Sequence, residues 1–240
     1  MAASIALPCP DEAESSFERW WSAQGEWVEP PNVRRDGESG VQRIKTNAGG
    51  RALRYCKRQV GHLYRSLRHP LGRPTVLREH DALQAFSQLG VRVPTIVYCG
   101  ARQQAGRWQA LLVTEELKGF VSLEHWYEAG LDERHGRRVH EQMLKTVGQT
   151  LSRYHRGRWQ HGCCYAKHIF IKAAGQADAP GIEIAVLDLE KSRRRLGRRA
   201  AVEHDMRQLA RHRGSMSDDD WQLLQAAHAA ALDGELRHGA

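Results

Sequence analysis

Apolar positions with helical spacing occur twice in the N-terminal part of the chain. Residues 11–27 predict a short amphipathic helix, and residues 75–89 predict a second helix that stops at Gly90, a residue type common at helix ends. The apolar side of the first helix is aromatic, with Phe17, Trp20 and Trp21. Aromatic side chains at such positions are most often core, so this helix is expected to pack against the rest of its domain.

After the first helix the pattern changes to short β-rich runs. Residues 40–46 and 51–58 flank the glycine-rich turn NAGG, which predicts a β-hairpin. Two more runs, at 93–100 and 107–117, are also typical of strands. The first half of the chain is therefore expected to consist mostly of strands with one main helix.

The second half is predicted to be helical. Residues 133–156 have a long amphipathic pattern, and helices are expected at about 200–213 and at 218–233, the last beginning with the acidic cap SDDD. The apolar positions of the long helix are Val139, Met143, Val147, Leu151 and Tyr154. The predicted fold class is α+β. A β-rich lobe over 1–117 and a helical lobe over 118–240 follow the two-lobed plan of protein kinases.

Composition indicates an ordinary globular protein. Of 240 residues, 41% are hydrophobic and 27% are charged, which is outside the range of disordered chains. No apolar run reaches the roughly 18–20 residues needed to cross a bilayer, and the N-terminus lacks the basic segment of a signal peptide. The five cysteines form no CxxC pair. Reduced thiols, no zinc site and a cytoplasmic location are therefore expected.

The net charge of +8 is concentrated in clusters. The tract 191–199 carries six basic side chains, and Arg134, Arg137 and Arg138 form a second group. Such patches favour anionic partners, namely nucleic acid, acidic lipid headgroups or a phosphorylated or carboxylated sugar, and a solvated face is the alternative. No RNA-binding motif is present and no aromatic residues interleave the tract, so no nucleic-acid partner is expected.

Phosphoryl transfer needs a cation for the nucleotide phosphates, a carboxylate for magnesium and a group that orients the acceptor hydroxyl. Lys57, in the second strand of the predicted hairpin, is placed to reach the phosphates of ATP. Glu79 lies 22 residues further on, in the predicted helix, where it is placed to pair with that lysine. The alternative for Lys57 is an exposed strand lysine. The ordered pair of lysine and glutamate is more specific than either residue alone.

Other candidate residues flank the predicted strands. Gly37 and Gly40, in DGESG, offer two of the three glycines of a phosphate-covering loop and alone indicate nothing. Glu115 and Glu116, at the end of the run RWQALLVTEEL, complete the nucleotide-binding set. Asp188 ends the apolar run IEIAVLDLE and is the candidate ligand for Mg²⁺, because a lone carboxylate there is costly to desolvate without a partner. A capping or turn aspartate is the alternative.

One segment resembles a known family. YHRGRWQHGCCYAKHIFI, residues 154–171, matches LHxxGxxHxDxYxxHxxx, the catalytic-loop pattern of the lipopolysaccharide kinase family and especially of its InaA-type members. With Lys57, Glu79 and Asp188, the resemblance covers roughly residues 40–213. Members of the family phosphorylate heptose or 3-deoxy-manno-octulosonic acid in the lipopolysaccharide inner core. The resemblance therefore implies a sugar kinase that uses ATP and Mg²⁺.

The resemblance also implies residue roles. His161 and the residue two positions later belong to the catalytic loop, His168 is the second metal-binding position, and Asp205 braces the loop from the following helix. The chain departs from the family where the catalytic aspartate is expected, because that residue is Cys163. A thiol is a poor ligand for Mg²⁺ and a weaker base than a carboxylate in this position. Since a catalytic base contributes roughly 10²–10⁴-fold in rate, nucleotide binding is better supported than catalysis.

The sequence leaves alternative functions open. The leading interpretation is a kinase of a lipopolysaccharide core sugar at the inner face of the cytoplasmic membrane. In this interpretation Arg193, Arg194 and Arg195 hold the anionic acceptor sugar or membrane phospholipid. The alternative is a nucleotide-binding pseudokinase or regulatory scaffold, favoured by Cys163. An RNA-associated kinase-like protein is suggested by charge alone. The acceptor hydroxyl and the oligomeric state are not predicted.

Overall fold

The computed structural model describes residues 10–34, 37–46, 52–176 and 179–234. The chain forms two compact units, the first drawn from Met1–His80 and Thr95–Glu116 and the second from Asp81–Pro94 and Leu117–Ala240. The chain enters the second unit for the last time after Glu116, next to the predicted boundary at residue 117. The excursion of residues 81–94 into the second unit was not predicted.

The described residues are rich in both kinds of secondary structure. The α-helices are α1 Pro10–Ser22, α2 Thr75–Gln88, α3 Leu123–Glu128, α4 Leu131–His135, α5 Arg137–Arg156, α6 Arg198–Arg211 and α7 Asp218–Asp233. The strands of the first unit are β1 Glu26–Arg34, β2 Gly37–Thr46, β3 Ala52–Val60, β4 Leu63–Ser66, β5 His69–Pro74, β6 Ile96–Gln104 and β7 Arg107–Glu115. Those of the second unit are β8 Val121–Ser122, β9 Trp159–Gln160, β10 Ile169–Gln176, β11 Ala179–Val186 and β12 Arg193–Arg194. Short 3₁₀ turns occupy Ala166–His168 and Leu189–Lys191.

The first unit is built on a five-stranded antiparallel sheet in the order β1-β2-β3-β7-β6. The predicted hairpin of β2 and β3 is present, with Val41 opposite Lys57, while its NAGG turn lies outside the described residues. Cys56 points into an apolar core formed with Phe17 and Trp20 of α1. Because successive side chains of a strand point to opposite faces, Lys57 faces the other side of the sheet.

Two elements of the first unit were not predicted. Strand β1 contains Pro30 and Pro31 and lies at the edge of the sheet, where proline is tolerated because an edge strand leaves N–H groups unpaired. Strands β4 and β5 form a separate two-stranded ribbon between β3 and α2.

The second unit is arranged around α5. The apolar positions predicted for this helix are all buried: Val139, Met143, Val147, Leu151 and Tyr154. The helix begins at Arg137 instead of 133, because Gly136 takes φ 79° and ψ 159° and separates it from α4. Strands β10 and β11 pair along their length, with Ile169 opposite Val186. None of the described helices is long and apolar enough to traverse a bilayer.

Candidate functional site

The first unit contains a buried ion pair between β3 and α2. The Nζ atom of Lys57 lies 2.8 Å from Oε2 of Glu79, and both side chains are largely shielded from solvent. The start of α2 is held on β3 by Gln59, whose Oε1 accepts hydrogen bonds from the Thr75 hydroxyl at 2.8 Å and from the Val76 N–H at 3.0 Å. This fixes the helix one turn before Glu79 and directs its carboxylate towards the lysine. A lysine with one fixed carboxylate partner is a preorganised cation.

The two candidate glycines lie on strand β2, where local packing explains them. A Cβ atom on Gly37 would lie 2.7 Å from Cα of His62, and one on Gly40 would lie 2.8 Å from the ring of Trp27. The contact at Gly37 is with backbone, so that position requires glycine without any ligand, whereas the contact at Gly40 is with an exposed side chain that can move. Their role at a nucleotide stays a prediction.

Glu115 and Glu116 use their backbone N–H groups inside the first unit. The N–H of Glu115 donates to the Thr95 carbonyl at 2.9 Å, and that of Glu116 donates to the Leu53 carbonyl at 3.1 Å. The Glu115 carboxylate lies 3.7 Å from Arg54. Any contact with a nucleotide base would therefore use their carbonyl groups or neighbouring residues. Their assignment to nucleotide binding also stays a prediction.

In the second unit, Asp205 of α6 anchors the loop that follows β9. Its carboxylate is fully buried and accepts the N–H groups of His161 at 2.6 Å and of Gly162 at 3.1 Å. Burial alone would raise the pKa of Asp205, but hydrogen bonding and charge from His155, together with His161, outweigh burial and lower it. Gly162 has φ 86°, and a Cβ there would lie 2.5 Å from the Lys191 carbonyl oxygen, so this turn requires glycine.

Two histidines extend the Asp205 anchor to the last helix. His155, at the end of α5, places Nε2 3.3 Å from Oδ2 of Asp205 and Nδ1 2.9 Å from Nε2 of His228 on α7. Burial and, to a smaller extent, the neighbouring His155 lower the pKa of His228 to about 4, so His228 is neutral near pH 7. A continuous chain of polar contacts therefore links α7, α5, α6 and the loop. His155 matches the first histidine of the catalytic-loop pattern but was assigned no role from it, and His228 belongs to no motif.

His161 is enclosed in the interior of the second unit. Its ring is fully buried and lies edge-on to the ring of Phe86. Burial lowers the pKa of His161 to about 4, which keeps the imidazole neutral. The Nδ1 atom accepts the Cys163 N–H at 3.4 Å, so the ring proton is on Nε2, which has no hydrogen-bond partner among the described residues. Such a ring is placed to shape the loop and is not exposed to a substrate.

Asp188 and His168 face each other at the ends of β11 and of the loop. Asp188 has φ 57° and ψ 57°, a left-handed conformation that is uncommon for non-glycine residues but is adopted by aspartate more readily than by most. The Nδ1 atom of His168 donates to the Cys163 carbonyl at 2.9 Å, which leaves the Nε2 lone pair towards Oδ2 of Asp188 at 3.7 Å. Two lone-pair donors facing each other are stabilised by a shared cation or proton.

These two side chains suit a divalent cation that also binds an external ligand. No cluster of three or more His, Cys, Asp or Glu side chains within the described ranges is arranged to hold a metal ion. A carboxylate suits Mg²⁺, which usually takes only one or two protein ligands and fills its remaining positions with water and phosphate oxygens. An imidazole favours softer divalent ions. The donor set therefore fits a metal delivered with a nucleotide, and it fits Mn²⁺ as well as Mg²⁺.

Cys163 occupies the loop position next to this pair. Its side chain is only 4% exposed, and burial followed by the negative charge of Asp188 raises the pKa of the thiol. The side chains of Lys191 and Tyr165 act in the opposite direction and lower the pKa of the thiol, but burial outweighs them. Lys191 was predicted only as part of the basic tract, and no role was predicted for Tyr165. The signal for both was their spacing, three residues after Asp188 and two after Cys163.

The basic tract begins beside this loop. Strand β12, formed by Arg193 and Arg194, pairs with β9, which directly precedes His161. The guanidinium of Arg195 donates to Oε1 of Gln160 at 2.5 Å. Arg193 and Arg194 remain exposed. The tract is thus a pinned backbone segment that presents basic side chains to solvent.

Comparison with known proteins identifies the class of fold. The solved structure of WaaP in complex with acyl carrier protein matches 99% of this chain and 92% of that one, with a TM-score of 0.68 and 20% sequence identity. The shared architecture, a β-sheet N-terminal region followed by a helical C-terminal part, is kinase-like. The predicted α+β kinase-like fold class is thereby confirmed.

Sequence comparison identifies the family. The chain matches the model of the lipopolysaccharide kinase (Kdo/WaaP) family over residues 18–228. It is 43% identical to protein InaA of Escherichia coli over 214 residues, which cover 89% of this chain and 95% of that protein. It is 25% identical to the lipopolysaccharide core heptose(I) kinase WaaP of Pseudomonas aeruginosa over 119 residues, 49% of this chain and 44% of that protein. The chain belongs to the lipopolysaccharide kinase family, as the catalytic-loop resemblance predicted.

Proposed function

We propose that this protein is a kinase that uses ATP and a divalent cation to phosphorylate a sugar hydroxyl of the lipopolysaccharide core. The observation that carries the proposal is the buried pair of Lys57 and Glu79, within 2.8 Å of each other in a member of a kinase family. A buried lysine held by a helical glutamate is the arrangement that protein kinases use for the nucleotide phosphates.

In the first unit, Lys57 neutralises the phosphates of ATP. Glu79 holds the lysine side chain extended, so little side-chain entropy is lost when the nucleotide binds. Since removing one partner of a buried ion pair leaves the other charge uncompensated, each residue also depends on the other for stability. Gly37 and Gly40 of β2 and backbone groups of the sheet would contribute contacts that orient the nucleotide.

In the second unit, Asp188 and His168 would hold the metal ion. When bound, the ion neutralises the charge that builds up on the phosphate oxygens during transfer. The left-handed backbone of Asp188 fixes the carboxylate at the end of β11, and the Cys163 carbonyl fixes the His168 ring through its Nδ1–H. Both ligands are thereby oriented before the nucleotide arrives.

The loop between β9 and β10 would orient the acceptor hydroxyl. His161 and Gly162 are positioning residues, because Asp205 holds their backbone N–H groups and the His161 ring is buried. The Lys191 ammonium lies near the Cys163 thiol and supplies a positive charge next to the position where other family members have a carboxylate. In a loose transition state the hydroxyl proton leaves late, so orientation and positive charge contribute more than a strong base.

The exposed basic side chains of Arg193 and Arg194 are proposed to bind anionic groups of the acceptor sugar, with Arg195 holding the strand in place. An arginine fork matches phosphate and carboxylate oxygens in a two-point contact. Their strand pairs with β9, so it is attached to the same loop that would orient the hydroxyl.

A second candidate function is a nucleotide-binding pseudokinase. It is favoured by Cys163, whose thiol pKa is raised by burial and by Asp188, so that the thiolate base is scarce at neutral pH. In a pseudokinase Lys57 and Asp188 would still bind ATP and the metal ion, but no phosphoryl group would be transferred.

The test is an ATP-turnover assay on the purified protein, with and without deacylated core oligosaccharide. We expect slow phosphorylation that requires the oligosaccharide and a divalent cation, with Mn²⁺ at least as effective as Mg²⁺. Cys163→Asp should raise the rate by about 10²-fold or more, because it restores the carboxylate. Asp188→Asn serves as the inactive control. Tight ATP binding without turnover in both the wild type and Cys163→Asp would establish the pseudokinase instead.

A further inference from the structure

The ribbon of strands β4 and β5 combines exposed leucines with uniformly basic charge. From Gln59 to Arg78 the sequence contains no aspartate or glutamate. The same segment carries four arginines: Arg65, Arg68, Arg73 and Arg78. Arg65, on β4, and Arg68, in the turn that follows it, make this end of the ribbon locally cationic.

Two leucines stand at the outer part of this ribbon. Leu67, in the turn between β4 and β5, is 104% exposed, and Leu71, on β5, is 90% exposed. Leu71 lies where the strand register shifts between Tyr64 and Ser66, so its side chain is displaced from the ladder. Single exposed leucines are ordinary on protein surfaces. Two leucine side chains that are almost fully exposed, together with the basic residues beside them, make this end of the ribbon amphiphilic.

The ribbon is braced by its own side chains. Arg73 donates to the Tyr64 hydroxyl at 3.3 Å, and the Arg78 guanidinium lies 4.4 Å from the centre of the Tyr64 ring. At the base, Nδ1 of His62 lies 2.8 Å from the Thr75 hydroxyl. The exposure of the leucines therefore belongs to a defined element that holds them away from the sheet.

We propose that the β4–β5 ribbon docks the protein on an anionic phospholipid bilayer, with Leu67 and Leu71 entering the interface and Arg65 and Arg68 contacting lipid phosphates. Apolar side chains at a cationic tip match the two layers of such a surface, acyl chains beneath negatively charged headgroups. The interaction does not depend on kinase activity.

A bilayer fits the ribbon better than a protein partner does. Stable protein interfaces bury about 800 Å² on each side and need a complementary shape. A two-residue turn with fully exposed side chains offers little area and no pocket, whereas a fluid lipid surface adapts to any protrusion. An acidic protein is the alternative partner, and the experiment must distinguish it from a lipid bilayer.

The second unit supplies an internal comparison. Leu196 is 99% exposed and follows Arg193, Arg194 and Arg195 in the basic tract. This segment has similar composition but presents a single leucine. If lipid binding follows charge alone, the tract and the ribbon should contribute similarly, whereas insertion predicts a larger effect for the ribbon.

The test is co-sedimentation of the full-length protein with vesicles of phosphatidylcholine, alone or mixed with phosphatidylglycerol, at low and high salt. We expect binding to the mixed vesicles only. Leu67→Ser with Leu71→Ser should weaken it by about 100-fold, since burying each leucine side chain is worth about tenfold in affinity. Arg65→Gln with Arg68→Gln should weaken it by about tenfold, and high salt should abolish the difference between these arginine variants and the wild type.

Matched controls in the same unit are Val28→Ser and Lys45→Gln, which alter exposed apolar and basic side chains away from the ribbon. They should bind as the wild type does. An unchanged thermal unfolding profile will show that the ribbon variants fold, which their exposure leads us to expect. Wild-type binding in the leucine variant, or loss only when residues 193–195 are changed, would overturn the proposal. Absence of vesicle binding together with capture of a purified acidic protein that the leucine variant loses would assign the ribbon to a protein partner.

Discussion

Acidification should destabilise the second unit through His228. Its pKa is lowered from 6.5 to about 4 by burial and by the neighbouring His155. An unfolded chain therefore binds a proton at this residue below about pH 6.5, while the folded protein does not until about pH 4. Because the unfolded state binds more protons in this window, the free energy of unfolding falls as the pH is lowered from 6.5 towards 4.

The size of the effect follows from the two pKa values. Between pH 7 and pH 5 the expected loss of unfolding free energy from His228 alone is about 2 kcal/mol, and it levels off at about 3 kcal/mol below pH 4. Against a typical total of about 5–15 kcal/mol this is a measurable share. Replacing the histidine by glutamine removes the titration and retains an amide that can pair with Nδ1 of His155.

The assay is urea unfolding of the wild type and of His228→Gln at pH 7 and pH 5, with hydrogen exchange of the α5 and α7 amides to localise the change. The glutamine variant should be less stable at pH 7 but should lose about 2 kcal/mol less than the wild type on acidification. The control is His125→Gln, an exposed histidine of the same unit, which should leave the pH dependence unchanged. Equal losses in the wild type and His228→Gln would refute the reasoning.

Three further predictions concern the proposed activity. Lys57→Met and Asp188→Asn should each weaken metal–ATP binding in isothermal titration by about tenfold or more, and Asp188→Asn should keep the unfolding midpoint of the wild type. If both variants bind metal–ATP as tightly as the wild type, the kinase interpretation is wrong. Lys191→Gln should lower kcat by about 10²-fold with little change in KM for ATP, and a change confined to KM would exclude a role for its charge in transfer. Reversing residues 193–195 to glutamate should raise KM for the core oligosaccharide in a salt-dependent manner, and an unchanged KM would leave these arginines as a solvated strand.

Strong periodicity made much of the fold predictable. The long helix was found because its apolar residues repeat over about four turns, and the β2–β3 hairpin because two β-rich runs flank a glycine-rich turn. The pairing of Lys57 with Glu79 followed from their order and spacing on a strand and a helix. For the helix and the hairpin the signal is local, whereas Lys57 and Glu79 are 22 residues apart and were paired by the order of lysine strand and glutamate helix.

The missed features depend on contacts that leave no local pattern. His155 and His228 are 73 residues apart, and neither helix position distinguishes a buried histidine from an exposed one. Strand β1 was hidden by its two prolines, which an edge position tolerates. The β4–β5 ribbon was hidden because its leucines point outward, so the alternation that marks a half-buried strand is absent.

The geometry of the catalytic loop and the chemistry of residue 163 are separate matters in this structure. The loop is held by Asp205 through the backbone N–H groups of His161 and Gly162, and His168 is held through the Cys163 carbonyl. None of these bonds uses the side chain at 163. The loop geometry therefore does not require a carboxylate there, and the loss of the catalytic aspartate is a change of one functional group within an intact frame. For this reason the exchange of Cys163 for aspartate restores the missing carboxylate without removing any of the hydrogen bonds that hold the loop, whereas a change in Asp205 would remove them.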